Sequence, residues 1–419
     1  MKTDRYNYSL MAVLSLLMFT ACVNDSSDFA ALYEADEALR SAEVKTIAFD
    51  YTAYDTVEDA ADIPADDNDY VENSSFPNVI NIAYSDEDAT LSGDVNAVTT
   101  HKNGAHVTIV SNTKNIIYKL SGSTSNGSFK IYSKNKFALS LENVSITNPS
   151  GAAINNQGEY GAGGSGTKTM YVVLPEGSVN TLTDGTSYVN VAGEQMKGTL
   201  FSEGQVIFSG AGSLVINGNY KNGIASDDYI VFRPGVQIAV NCTAASGHGV
   251  KANDGIIVRG GTLNVSVTGA AAKGFNSEAR ITVEGGRTTV IATGEPLVES
   301  NDTSNCAGIK CDSTLYVKGG IMNLMSTGEG GKGINVTGDI EMSAGELNVV
   351  ATGNKDKGSP KGIKCGKNDS DLAGNMTVSG GCLYSYSANS SALDIKGVLS
   401  IADGYSTYKN TGSLFDLRY

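Results

Sequence analysis

Asp227, Asn253, Glu278 and Asp312 share one register of a recurring unit, and Asp228 and Asp254 follow one position later in two of its copies. Placed on neighbouring strands, these oxygens would line one edge about 5 Å apart. Carboxylates at that spacing repel unless a cation lies between them, and calcium accepts several oxygen ligands from flexible carboxylates and carbonyls. The six residues are therefore candidate calcium ligands. The plainer reading is that Asp and Asn end strands at turns, where they tolerate unusual backbone angles. Two positions before the first row runs another: Lys251, Asn276, Lys310, Asn335 and Lys364. In a line, these side chains would offer donors to the hydroxyls and carboxylates of an extended sugar chain. Alternating Lys with Asn also relieves repulsion between neighbouring copies, so a structural origin accounts for the same pattern. Lys273, Lys332 and Lys361 precede the unit and add to that edge.

What would bring these residues together is the unit itself. It opens with a small residue followed by an apolar one: Gly223-Ile224, Gly249-Val250, Gly274-Phe275, Gly308-Ile309, Gly333-Ile334, Gly362-Ile363 and Ala392-Leu393. Another glycine comes at a fixed distance, as Gly235, Gly261, Gly286, Gly320, Gly345 and Gly404, while Gly381 arrives late because of an insertion. After the opening residue the pattern is apolar, polar, small, polar, as in Ile309-Lys310-Cys311-Asp312. Strand side chains alternate between faces, so the first and third point inward, the second and fourth toward solvent. A second strand follows, as in Ile256/Val258 and Ile340/Met342, and a third after the glycine, as in Leu263/Val265/Val267. Three short strands cannot bury an apolar face alone. Stacking the same strand of successive units builds parallel sheets around one continuous core. The expected fold is all-β, a right-handed parallel β-helix with three short strands per rung and an N-terminal β cap.

The chain has 419 residues with 49 glycines, 7 prolines and no tryptophan, which suits turn-rich β structure. Its net charge of −15 is concentrated. Val23 to Glu72 holds fifteen acidic residues against Arg40 and Lys45. Residues 23–75 therefore read as an acidic flexible leader, self-repelling and extended. No basic patch of the kind a nucleic-acid binder needs is evident. Lys2 and Arg5, the apolar run Leu10 to Phe19 and Thr20-Ala21-Cys22 read as an export signal over residues 1–22. Cysteine directly after small residues resembles a bacterial lipoprotein signal, with Cys22 carrying the lipid. The protein is thus expected in the cell envelope, anchored to the outer membrane and surface-exposed, as a monomer. Cys311 and Cys365 fall at inward positions two rungs apart, about 9.6 Å, too far for a disulfide.

From Phe76 to Asn219 the unit degrades but short strands persist, as in Thr108-Ile109-Val110 and Phe137 to Leu141, so residues 76–419 read as one domain. Gly198 to Glu203 is an earlier copy of the opening, and Ala153 to Gln157 an earlier one still. Tyr384, Tyr386, Tyr405 and Tyr408 cluster near the C-terminus, either to stack on sugar faces or, preferably, to cover the open end.

Ala89 to Gly93, Leu139 to Ile146, Asn180 to Gly185, Gly218 to Ile224 with Ser226-Asp227-Asp228, and Gly260 to Leu263 occur in that order. Together they resemble the carbohydrate-binding β-helix family over roughly residues 80 to 405. The resemblance implies extracellular proteins that bind cellulose- and pectin-like polysaccharides, contain calcium and share the fold of calcium-dependent pectate lyases. The insertions at Glu295 to Asn305, Asn354 to Pro360 and Lys367 to Ala373, and the loss of acidic residues after Asp312, depart from it. Non-catalytic polysaccharide binding is the expected function. The alternatives are a calcium-dependent lyase acting by β-elimination, with Lys251 or Lys310 as base, and an adhesive scaffold. Neighbouring carboxylates keep a lysine protonated, which works against it as a base. Three histidines, His101, His106 and His248, support neither a triad nor a zinc site.

Overall fold

The computed structural model describes residues 53–58, 67–159, 169–300, 302–367, 371–405, 407–410 and 412–419. Among these there is no α-helix; the regular structure is strand, apart from single 3₁₀ turns at Val71–Asn73 and Val95–Ala97. Most strands form two sheets, one of 12 strands and one of 23. Each full copy of the unit gives its first strand to the smaller sheet and its next two to the larger. Thus Asn222–Ser226 enters the smaller sheet, and Tyr229–Phe232 and Gln237–Cys242 the larger. The chain repeats this with Val250–Ala252, Gly255–Val258 and Thr262–Val267.

Pairing between copies is parallel and keeps one register. Ile224, Val250, Phe275, Ile309, Ile334, Ile363 and Leu393 are successive partners, as are Ser226, Ala252, Ser277, Cys311, Val336, Cys365 and Ile395. Apart from the half-buried Leu393 and Ile395 of the last copy, both columns are inside the core. Each large apolar side chain so buried contributes about 1.5–3 kcal/mol.

The two glycines of the unit are there for different reasons. The second has φ between +73° and +100° in every copy from Gly235 to Gly404, a region that penalises side chains with a Cβ. The opening glycine makes room for the third strand. A Cβ on Gly274 would lie 2.1 Å from Val290 Cγ1, and one on Gly333 equally close to Val349 Cγ1.

Both ends are closed by antiparallel pairing. Asn78–Ser85 pairs with Asp88–Gly93, and Thr99–Asn103 with Ala105–Ser111. At the other end Leu414–Arg418 lies antiparallel to Cys382–Ser387 and inserts Phe415 and Leu417 into the core. Tyr384 and Tyr386 are buried there, 4% and 1% exposed, packed with Leu414. They lie on the outward face of the larger sheet, in register with Asn348 and Val350, too buried to stack on a sugar but not over the open end, which Phe415 and Leu417 fill. Tyr405 packs edge-on against Tyr419, and the Tyr408 side chain lies outside the described residues.

The leader is not extended where it is described. Val71 and Phe76 pack on an outward column of the larger sheet, Ala138, Tyr171, Ile207 and Val231, each fully buried. Arg233 is clamped between Glu58 (3.0 Å) and Glu72 (2.6 Å), and Arg259 binds Asp69 (2.6 Å). The Tyr70 ring lies 4.4 Å from the Arg233 guanidinium and 5.1 Å from that of Arg259. Self-repulsion of the acidic stretch is offset by arginines of the body, and an apolar column that would otherwise face water is covered. Cys22 and the rest of residues 1–52 lie outside the described residues.

Candidate functional site

The acidic row follows directly from the smaller sheet, so the parallel register carries through it. The amides of Asp227, Asn253, Glu278 and Asp312 each donate to a carbonyl of the preceding copy, Ser202, Ser226, Ala252 and Ser277, at 3.0–3.2 Å. The four align along one edge. Asp254 stacks on Asp228 through its own amide, at 3.2 Å to the Asp228 carbonyl.

The charges of Asp227, Glu278 and Asp312, however, are met by lysine. Lys197 Nζ lies 2.6 Å from both carboxylate oxygens of Asp227, Lys251 pairs with Glu278 at 2.6 Å, and Lys310 pairs with Asp312. Asn253 turns its amide toward Asp227 (3.4 Å), and Asp228 accepts from the Gln205 amide and from the Tyr229 backbone N–H. Among the described residues no three His, Cys, Asp or Glu side chains converge as metal ligands. At Asp227, Glu278 and Asp312 the donor set does not fit calcium: the lysines supply the positive charge that a cation would bring, and the oxygens point at them.

One acidic residue of the row was missed. Glu203 precedes Asp227, its amide donating to the Asn156 carbonyl at 3.0 Å. Its carboxyl is pushed up to about 7, first by burial and then by the charge of Asp227. The miss has a definite cause. Gly198 pairs with Asn222, not with Gly223, so counting from Gly198 puts Ser202 where Glu203 belongs. Lys197 lies one residue before the strand, and no pattern in the repeats marks it.

The residues of the Lys–Asn row are in register. Lys251, Asn276, Lys310, Asn335 and Lys364 are successive register partners, all half-buried on the outer face of the smaller sheet. Beside it Lys273, Ala307, Lys332 and Lys361 form a parallel row. Lys273 donates to the Ala271 carbonyl and to Ser304 Oγ (3.2 Å), and Lys332 to Asn305 Oδ1 (2.9 Å) and the Gly330 carbonyl (2.7 Å). Neither meets a carboxylate among the described residues. Burial brings both down to about 8, helped by Lys310 at Lys273 and by Lys364 at Lys332. The inserted hairpin Leu297–Glu299 with Asp302–Ser304 ends beside them, through Ser304 and Asn305. The face is thus a corrugated band of ammonium and amide donors with an uncompensated stretch around Lys332.

A family model described as carbohydrate-binding domain-containing protein matches residues 103–278 and 264–358. No curated protein matches the chain. Among solved structures the chain is similar to a polysaccharide lyase-like protein from C. thermocellum, determined as a gadolinium derivative. The identity is 18%, over 78% of this chain and 97% of that one, with a TM-score of 0.40.

Proposed function

The chain belongs to the carbohydrate-binding domain-containing family, and from that premise we propose that it binds a polysaccharide along the Lys–Asn face without turning it over. The observation that carries this reading is the register itself: five donor side chains on five consecutive strands form one straight outward row. A polymer that repeats along its own length meets such a row with the same contact many times. Each contact between a partly exposed ammonium and a sugar oxygen is weak, and their number supplies affinity.

In this reading the strands coil as a right-handed parallel β-helix with three strands per turn and a capped N-terminus. The parallel pairing of each strand with its counterpart in the next copy supports it. A lipid at Cys22 would hold the protein on the outer membrane as a monomer, with the leader linking anchor to body. Cellulose- and pectin-like glycans are the ligands to try first.

Lyase chemistry needs a lysine that is neutral near working pH and close to the sugar. Lys251 and Lys310 are paired with Glu278 and Asp312, so they do not serve. Lys332, near 8 and with no carboxylate partner among the described residues, is the residue that keeps this second reading open.

Pull-down on insoluble cellulose and on pectin, with and without a chelator, tests the proposal. Wild type should be retained on at least one of them. K310Q/K364Q should lose about tenfold in retention, and the chelator should change nothing. Retention of the variant equal to wild type would remove the face from the proposal. Growth of ultraviolet absorbance from an unsaturated uronate during incubation with polygalacturonate would establish the lyase instead, and K332Q should abolish it.

A further inference from the structure

A cavity of about 500 Å³ lies away from the Lys–Asn face, where the turns leaving the smaller sheet meet the leader. Its wall carries Lys114, Lys134 and Lys136 from two stacked turns, Gln205 and Tyr229 from two later copies, and Asn68 from the leader. The volume falls within the roughly 300–1,000 Å³ of small-ligand sites and holds a short piece of chain, not a polymer.

The lining is cationic. Lys134 pairs with Glu159 at 2.9 Å, while Lys114 and Lys136 have no carboxylate partner among the described residues. The turns that present them are tied down. Asn135 donates from its amide to the Asn112 carbonyl (3.1 Å) and from its backbone to Ser133 Oγ (3.2 Å), and Asn115 sits at φ 61°. The leader wall is fixed as firmly: Tyr171 donates to the Asn68 carbonyl (2.7 Å) and Tyr229 to Asp69 (2.8 Å), with Asp69 held in turn by Arg259. Gln205 is oriented by Thr169 (3.2 Å) and Asp228.

We propose that this cavity is a second, separate site that takes the anionic end of a glycan, one or two sugar units bearing a carboxylate or sulfate. The lysines meet the anion. Because Asn68 completes the wall, the leader is part of the site and not only a tether. The kind of ligand rests on the polysaccharide reading above; the location does not.

The test is calorimetry on the full chain with digalacturonate, a sulfated disaccharide and neutral galactobiose, for wild type, K114Q/K136Q and K310Q/K364Q. Wild type should bind one of the anionic disaccharides at least about tenfold more tightly than galactobiose, and rising salt should weaken it. K114Q/K136Q should lose about tenfold of that affinity while keeping polysaccharide retention and its melting temperature. K310Q/K364Q should do the opposite, keeping the disaccharide and losing the polymer. Equal affinity for charged and neutral disaccharides, no binding of any, or no effect of K114Q/K136Q overturns the site. Anionic disaccharide binding without retention on any polysaccharide would sink the face and leave the cavity standing.

Discussion

Replacing Glu203 with glutamine should stabilise the protein at about pH 8 and leave it unchanged at about pH 4. The carboxyl titrates at about 7 in the fold against an ordinary 4.5, because burial and then Asp227 oppose its charge. A carboxyl raised on folding binds its proton more tightly in the native state. Its contribution is therefore full below 4.5 and is lost as pH rises through about 7. At ~1.4 kcal/mol per pH unit the gap sets an upper bound of about 3 kcal/mol. Glu203 is half-open to solvent, so screening reduces this to about 1 kcal/mol. Glutamine keeps the shape and never ionises. The urea midpoint of E203Q, followed by far-ultraviolet circular dichroism, should match wild type at about pH 4 and exceed it at about pH 8. A variant no more stable at about pH 8 would refute the reasoning. So would calcium that stabilises wild type there but not E203Q, since a cation would then sit between Glu203 and Asp227 in place of the proton.

G274A forces a Cβ to 2.1 Å from Val290 Cγ1 and should cost about 1–3 kcal/mol, read as a lower urea midpoint; a silent substitution would mean that the third strand packs differently. R233Q removes the buried partner of Glu58 and Glu72. With one side of a buried ion pair gone, the leader should detach at a cost of up to about 3 kcal/mol. Limited proteolysis should then cut before Phe76 faster than in wild type while the repeats stay intact, and an unchanged digestion rate would show that the clamp does not hold the leader.

Much of the fold was legible because β side chains alternate. Ile309 inward, Lys310 outward and Cys311 inward could be read from neighbouring residue types alone, and the glycine spacing set where one copy ends. The register of an early copy was not, since Gly198 resembles an opening glycine yet aligns with Asn222. That one-residue slip hid Glu203. The leader's docking was hidden for another reason. Its signal lies in Ile207 and Val231, apolar residues at outward positions, which mark a sheet face that something must cover without saying what covers it. The pairing of Lys197 with Asp227 joins a loop outside the repeats to the row, and side chains brought together across an irregular loop leave no periodic trace.

The two faces of the smaller sheet's edge differ in how their charge is balanced. Stacking places equivalent residues about 4.8 Å apart, where two like charges cost on the order of 1 kcal/mol in water and several times that when half-buried. On the acidic side Asp227, Glu278 and Asp312 each find a lysine, Lys197, Lys251 and Lys310. On the other side Lys332 stands in register with Lys361. Asp394 approaches Lys361 at 3.7 Å, and among the described residues Lys332 meets an amide oxygen and a carbonyl. Two ammoniums on adjacent strands repel, and burial penalises Lys332 further. An anionic group on a bound glycan removes both costs at once. The contact is therefore expected to centre on Lys332 and Lys361, not on the acidic row, and its salt dependence should fall when Lys332 is replaced by glutamine.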